Sequence, residues 1–270
     1  MGRLTAVLAL GAALALPLPQ NTIEADKAAI RQAVLDYAEG YYGHAPDRME
    51  RAVSPLLSKR GLNLRPGLPI LQQNAEMLID ACRGNAPRPG PDERKMTVDV
   101  LDAQAEIGSA RVFSVQFNDY VHLIKRGGRW QLLSVLWHQP PASATPGEAA
   151  APVATAIKDF AGALAGTDGK AASKLLYPVA LVRVLAPAQD GGRLVRDLNP
   201  ETVAAGLTGG QSLLQAKPDQ VQTRVLGIDG DLASGVIMTD SFVLYVHLGQ
   251  IDGRWQVVNA LGSRSGPRPD

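Results

Sequence analysis

One cysteine, Cys82, is all that the 270 residues hold, which excludes an internal disulfide. Cys82 falls beside Leu78 and Ile79 in a helical pattern, where a thiol packs as a small buried hydrophobe and stays inert. Histidines are also few, at 44, 122, 138 and 247, and neither H-x-x-x-H nor C-x-x-C spacing occurs, so no metal site is expected. The chain lacks a G-x-x-x-x-G-K-[ST] loop, a G-x-G-x-x-G run after a strand and a G-x-S-x-G elbow. Nucleotide binding and serine hydrolysis therefore have no sequence basis, and no cofactor is expected. Lys and Arg total 27 against 26 acidic residues, without a run of like charge, so nucleic acid is not an expected partner.

A hydrophobic run long enough to cross a bilayer is missing too. Residues 1–20 carry Arg3, an apolar run from Leu4 to Leu16, then Pro17 and Pro19. The run is shorter than the roughly 20 residues that a transmembrane helix needs, and Ala13 and Ala15 form an A-x-A-like cleavage site. This reads as a signal peptide, with a retained anchor as the alternative. The expected product is periplasmic or secreted, without stable membrane insertion after cleavage.

What is present is an internal repeat. Tyr120-Val121-His122-Leu123 returns as Tyr245-Val246-His247-Leu248, and Gly128-Arg129-Trp130-Gln131 returns as Gly253-Arg254-Trp255-Gln256, each 125 positions on. The same offset carries Phe117 onto Phe242 and Leu136 onto Leu261, and an offset of 123 carries Tyr37 onto Phe160, Gly43 onto Gly166, Pro55 onto Pro178 and Arg60 onto Arg183. The period far exceeds the roughly 20–50 residues of solenoid repeats, so each copy should close its own core. The expected organisation is a signal peptide at 1–20, a first domain at 21–139, a Pro- and Ala-rich linker at 140–152, a second, diverged domain at 153–262 and a tail at 263–270.

Within the first copy, Ile30, Val34, Tyr37, Ala38 and Tyr41 fall at helical spacing, so residues 23–42 predict an amphipathic helix that Gly43 can end. Asp47 suits an N-cap for a short second helix carrying Met49, Val53 and Leu56 or Leu57. A third helix is predicted over about 71–83. From Met96 the pattern turns to alternation, through Val98, Val100, Val112, Val115, Phe117, Val121, Leu123, Leu133 and Val135, which predicts antiparallel strands. Gly127-Gly128 and Asp252-Gly253 supply hairpin turns at matching places. Helices followed by a strand meander give an α+β roll, here two in tandem.

Asp36-Tyr37-Ala38-Glu39-Gly40-Tyr41-Tyr42, Asp47-Arg48-Met49, Pro55, Lys59-Arg60, Asp119-Tyr120-Val121-His122-Leu123 and Gly128-Arg129-Trp130-Gln131 through Leu136-Trp137 resemble the putative lumazine-binding family of the nuclear-transport-factor-two-like superfamily. The resemblance covers about residues 25–137. It implies a strongly curved sheet wrapped around helices with a cone-shaped pocket. Relatives of that fold include isomerases, dehydratases, cyclases and pure binding modules, so the fold alone does not choose a function. It also implies a small apolar or heteroaromatic ligand, such as a pterin. Superfamily members often pair through the outer sheet face, so the two copies are expected to pack as an intramolecular pseudo-dimer.

Asp119 and His122 are three apart on one strand, which places them on opposite faces unless a bulge intervenes. The candidate ligand-binding set is Tyr37, Tyr41, Met49, Asp119, His122 and Trp137. If the protein is an enzyme, Asp119, His122 and Tyr37 are the catalytic candidates, an Asp or His base with a Tyr donor sufficing for a cofactor-free lyase or isomerase. His122 recurs as His247 in the same setting, which favours a packing role over a site role. Tyr37, Tyr41, Tyr42, Asp119 and Trp137 align with Phe160, Leu164, Ala165, Leu244 and Gly262, so the polar set belongs to the first copy. The leading expectation is a noncatalytic binding protein, the alternatives being the lyase or isomerase and a structural or assembly module without ligand.

Overall fold

The computed structural model of the chain describes residues 21–65, 67–84, 88–140, 150–189 and 192–264. The expected signal peptide and residues 141–149 of the expected linker lie outside these. The first unit runs α1 (Asn21–Tyr42), α2 (Pro46–Ala52), β1 (Val53–Arg65), β2 (Leu68–Asn74), α3 (Ala75–Arg83), β3 (Met96–Ala103), β4 (Ile107–Ser114), β5 (Asn118–Arg126) and β6 (Arg129–His138). The second repeats it as α4 (Ala150–Ala165), α5 (Gly169–Leu175), β7 (Leu176–Pro187), β8 (Arg193–Leu198), α6 (Pro200–Thr208), β9 (Gln222–Asp229), β10 (Leu232–Met238), β11 (Phe242–Ile251) and β12 (Arg254–Arg264). The two six-stranded sheets have one order, β2-β1-β6-β5-β4-β3 and β8-β7-β12-β11-β10-β9. Each is curved around its own helices, giving α+β units in tandem.

Three expectations change. The short second helix ends at Ala52, and Val53 to Arg65 is a strand. Pro55 explains the stop, because it has no N–H to continue a helix and disfavours helical backbone at Ser54. The third helix is also shorter than expected, since Leu68–Asn74 is β2 and the Asn74 side chain caps α3 by accepting from the Met77 N–H at 2.9 Å. Finally, the sheets are mixed: β1 lies parallel to β6, and β7 parallel to β12. Parallel neighbours need a long crossover, and the rest of the unit, from β2 to β5, supplies it. Smaller shifts concern the ends. Asp47 sits in the first turn of α2 behind Pro46 and is not its cap. Residues 150–152 already belong to α4, and β12 extends to Arg264 because that residue still pairs with Phe242.

The hairpin turns form as their sequences demand, with Gly127 and Gly128 at φ 54° and 76°, and Asp252 and Gly253 at 50° and 73°. Inside the first unit, Ile30, Val34, Tyr37 and Ala38 of α1 pack with Val98, Val112, Val121, Leu132 and Val135 of the sheet. Cys82 is buried in that core, where burial pushes its thiol up and away from reactivity.

The outer faces of the sheets are buried against each other, and their contacts are reciprocal. Arg60 donates to the Val258 carbonyl at 2.7 Å and to Asn259 Oδ1 at 2.9 Å. Arg183, its repeat partner, donates to the Leu133 carbonyl at 2.6 Å, and Leu133 is the repeat partner of Val258. Ser109 Oγ meets Ser234 Oγ at 3.4 Å. The His122 and His247 rings stack with centroids 3.4 Å apart. Such pairing of equivalent patches is the pattern of an isologous interface. At one end of the seam, His138 of β6 is held between two carboxylates of the second unit, Nε2 at 2.6 Å from Asp229 and Nδ1 at 2.7 Å from Asp231.

These histidines give the seam opposite responses to pH. Burial pulls His247 down to about 3 and His122 well below the usual value, the neighbouring His247 and Arg183 adding to it. Below roughly pH 6.5 the unfolded chain takes up protons that the folded pair refuses, so stability falls with acid. For His138, burial opposes the charge but Asp229 and Asp231 outweigh it and raise the pKa to about 9. That contribution is complete below roughly pH 6.5 and is lost as pH rises through 9. Urea midpoints measured across pH should therefore lose their acid limb in His122→Leu/His247→Leu and their basic limb in His138→Gln. An unchanged slope in either variant would contradict the assignment.

Candidate functional site

Alternation along β5 sorts its polar residues. The irregularity in the β5–β6 pairing comes after His122, so Asp119 faces the helices while Tyr120 and His122 face the second sheet. Asp119 is wholly buried there, and its Oδ2 accepts from the Tyr37 hydroxyl of α1 at 2.6 Å and from Lys59 Nζ of β1 at 3.2 Å. Lys59 also donates to the Tyr37 oxygen. Three elements thus meet in one buried Lys–Tyr–Asp cluster.

The cluster lies at the base of a pocket of about 580 Å³ lined by Lys59, Tyr37, Tyr41, Phe117, Trp137 and Gln116, among others. That volume is in the range of small-molecule sites. The Lys59 ammonium sits against three rings, 4.7 Å from the centre of Trp137, 5.2 Å from Tyr37 and 5.3 Å from Phe117. Trp137 fits because its parallel neighbour is Gly61, where a Cβ would lie 2.9 Å from the indole. Tyr41 stands at the mouth, 42% exposed, edge-on to Phe117 at 6.0 Å.

Proton placement follows from burial. Burial and the adjacent Asp119 hold the Tyr37 hydroxyl well above the usual value, so it remains a donor. Burial pulls Lys59 down and pushes Asp119 up, while their mutual attraction opposes both shifts. An ammonium has three N–H donors, and Lys59 uses two on Tyr37 and Asp119. The third is left among the rings, and the Trp137 Nε1–H has no partner among the described residues. Asp119 does not reach the pocket wall.

Of the residues expected to form the site, Tyr37, Asp119, Tyr41 and Trp137 come together. Met49 does not: it is wholly buried in the core between α2 and the other elements, off the pocket wall. His122 is likewise excluded, because alternation turns it onto the interface against His247. Lys59 had no expected role. The signal available was its place two residues after Leu57 in a strand, which puts an ammonium on the same inward face.

In the second unit the counterparts of Tyr37, Lys59 and Asp119 are Phe160, Val182 and Leu244, all fully buried in its core. The Gly61–Trp137 pair becomes Val184–Gly262, and the Phe242 ring occupies the space over Gly262. A hollow of about 570 Å³ between β8, α6 and the loop after it has none of these residues on its wall. Among the described residues no three His, Cys, Asp or Glu side chains gather as a metal-holding group, and no helix is long and apolar enough to cross a membrane.

Residues 25–138 match the sequence model of the family described as putative lumazine-binding. The match covers the first unit and stops at the end of β6. The chain is also similar to solved structures of nuclear-transport-factor-two-like proteins. One from Shewanella baltica is 22% identical with a TM-score of 0.38, covering 46% of this chain and all of its own. One from Silicibacter pomeroyi is 18% identical with a TM-score of 0.37, covering 42% and 95%. A cystatin-like fold protein from Burkholderia xenovorans is 18% identical with a TM-score of 0.33, covering 44% and 92%. Comparison with curated proteins found no match.

Because the second copy replaces the whole cluster by apolar residues, the fold does not require it. Removing one member alone should be costly: Asp119→Leu leaves the Lys59 charge buried without its counterion, a loss of about 3–5 kcal/mol. The triple substitution Tyr37→Phe/Lys59→Val/Asp119→Leu, which copies the second unit, should recover most of that loss in a urea melt. A triple variant less stable than Asp119→Leu would contradict this.

Proposed function

We propose that the first unit is a binding domain for a planar aromatic or heteroaromatic molecule that carries an acceptor oxygen at its inner end. The observation that carries this reading is the third N–H of Lys59, the one donor of that ammonium not engaged by Tyr37 or Asp119, set among three rings at the base of the pocket. Trp137, Phe117 and Tyr41 offer faces and edges for a flat ring system, and the family description suggests a lumazine as the kind of molecule concerned.

The geometry favours binding over the lyase or isomerase alternative. The two members of the cluster that reach the pocket, Lys59 and Tyr37, are donors, and the carboxylate that would serve as base stands behind them. Within this reading the second unit is a partner and not a second site. The reciprocal Arg60 and Arg183 contacts support an intramolecular pseudo-dimer, in which fusion keeps the partner at high effective concentration. Export is part of the proposal, on the strength of the leader-like residues 1–20.

Calorimetric titration with lumazine tests it. Wild type should bind one molecule per chain, and Tyr37→Phe/Lys59→Val/Asp119→Leu should bind about tenfold to hundredfold more weakly, the worth of a hydrogen bond to a charged group. Equal affinity in the two proteins would overturn the assignment of the site.

A further inference from the structure

Lys59 is more than a charged hydrogen-bond donor in its setting. Its Nζ reaches the pocket, a carboxylate lies 3.2 Å away as proton acceptor and a phenol is in direct hydrogen bond as proton donor. These are the three groups that imine formation needs: an amine that can be deprotonated, a place for its proton and an acid for the departing oxygen. A simple anion-binding lysine needs neither a carboxylate nor a phenol, and the carboxylate would weaken the attraction for an anion. The rings of Trp137 and Phe117 lie against the ammonium on the pocket side.

We propose that Lys59 captures a flat aromatic aldehyde or ketone as a covalent, reversible imine. The step balances without any other reagent. Lys59 passes one proton to Asp119, and the free amine attacks the carbonyl carbon, forming the C–N bond while the C=O π pair moves to oxygen. Tyr37 donates a proton to that oxygen and regains one from the nitrogen. Tyr37 then gives its proton to the hydroxyl, which leaves as water as the C=N bond forms, and takes back the proton held by Asp119 through their hydrogen bond. The product is a protonated imine on Lys59 opposite the Asp119 carboxylate, so the buried ion pair of the resting state is preserved. Burial draws the Lys59 and Asp119 proton affinities toward each other, which lowers the cost of the first transfer. In the second unit Val182 stands in place of the amine, so one adduct per chain is expected.

This rests on the reading of the pocket as a binding site, and the experiment separates the two. The full chain is incubated with 6-methoxy-2-naphthaldehyde and sodium cyanoborohydride, digested and mapped by mass spectrometry. 2-Methoxynaphthalene, which has the rings and no carbonyl, is titrated in parallel by tryptophan fluorescence. The expected result is a reduced adduct at Lys59. Lys59→Arg, which keeps the ion pair but offers no imine-forming amine, should lose it. Tyr37→Phe should form it about a hundredfold more slowly, with circular dichroism showing both variants folded. If 2-methoxynaphthalene binds but the adduct is absent, or is spread over exposed lysines such as Lys95 and Lys158, the imine is overturned and the binding site stands. If neither compound binds, the reading of the pocket falls as well.

Discussion

The central strands of each six-stranded sheet are buried on both faces, one against the unit's own helices and the other against the second sheet, and the chemistry of the molecule is sorted by that constraint. Along β5 the residues alternate between the pocket side and the seam, so Asp119 joins Lys59 and Tyr37 while His122 meets His247. β1 does the same with adjacent residues: Lys59 points to the pocket and Arg60 to the seam. Along these central strands there is almost no solvated face to absorb a polar side chain. Each one must find a partner on its own side, and the clusters seen are those solutions.

The register also ties the seam to the pocket. In the β5–β6 ladder Asp119 pairs with Trp137 and Asn118 pairs with His138. The first pair faces the pocket. The second is gripped by the second unit, with Asn118 Nδ2 2.7 Å from the same Asp229 that accepts from His138. At the opposite, pseudo-symmetric end Glu106 of the first unit accepts from Arg193 Nε at 2.7 Å and from the Ser263 hydroxyl at 3.3 Å.

Much of the architecture was legible in the sequence because repeats and turn residues leave local marks. The common offset of Tyr-Val-His-Leu and Gly-Arg-Trp-Gln declares the duplication, Gly127-Gly128 and Asp252-Gly253 declare their hairpins, and three-residue spacing separates Asp119 from His122. The region Val53–Asn74 was misread for a physical reason. Strands buried on both faces lose the polar and apolar alternation that marks a strand, and a short apolar run reads equally as helix. Losing β1 meant losing Lys59, since an unassigned segment has no faces on which to place an ammonium. The His138 clamp was beyond reach for a different reason: its partners are 91 and 93 positions away, brought near only by the packing of one sheet on the other.

A ligand bound as proposed would sit on the Lys59 side of the first unit and leave the second unit untouched. The chain's three tryptophans report on it separately, because Trp137 lines the pocket, Trp130 donates its indole N–H to Asp26 at 2.9 Å, and Trp255 packs in the second core. Titration of an isotope-labelled chain with lumazine, followed by NMR at the three indole N–H signals, is the most direct test. The Trp137 signal should move while those of Trp130 and Trp255 stay. Movement of the Trp255 signal, or a Trp137 signal that does not respond, would contradict it.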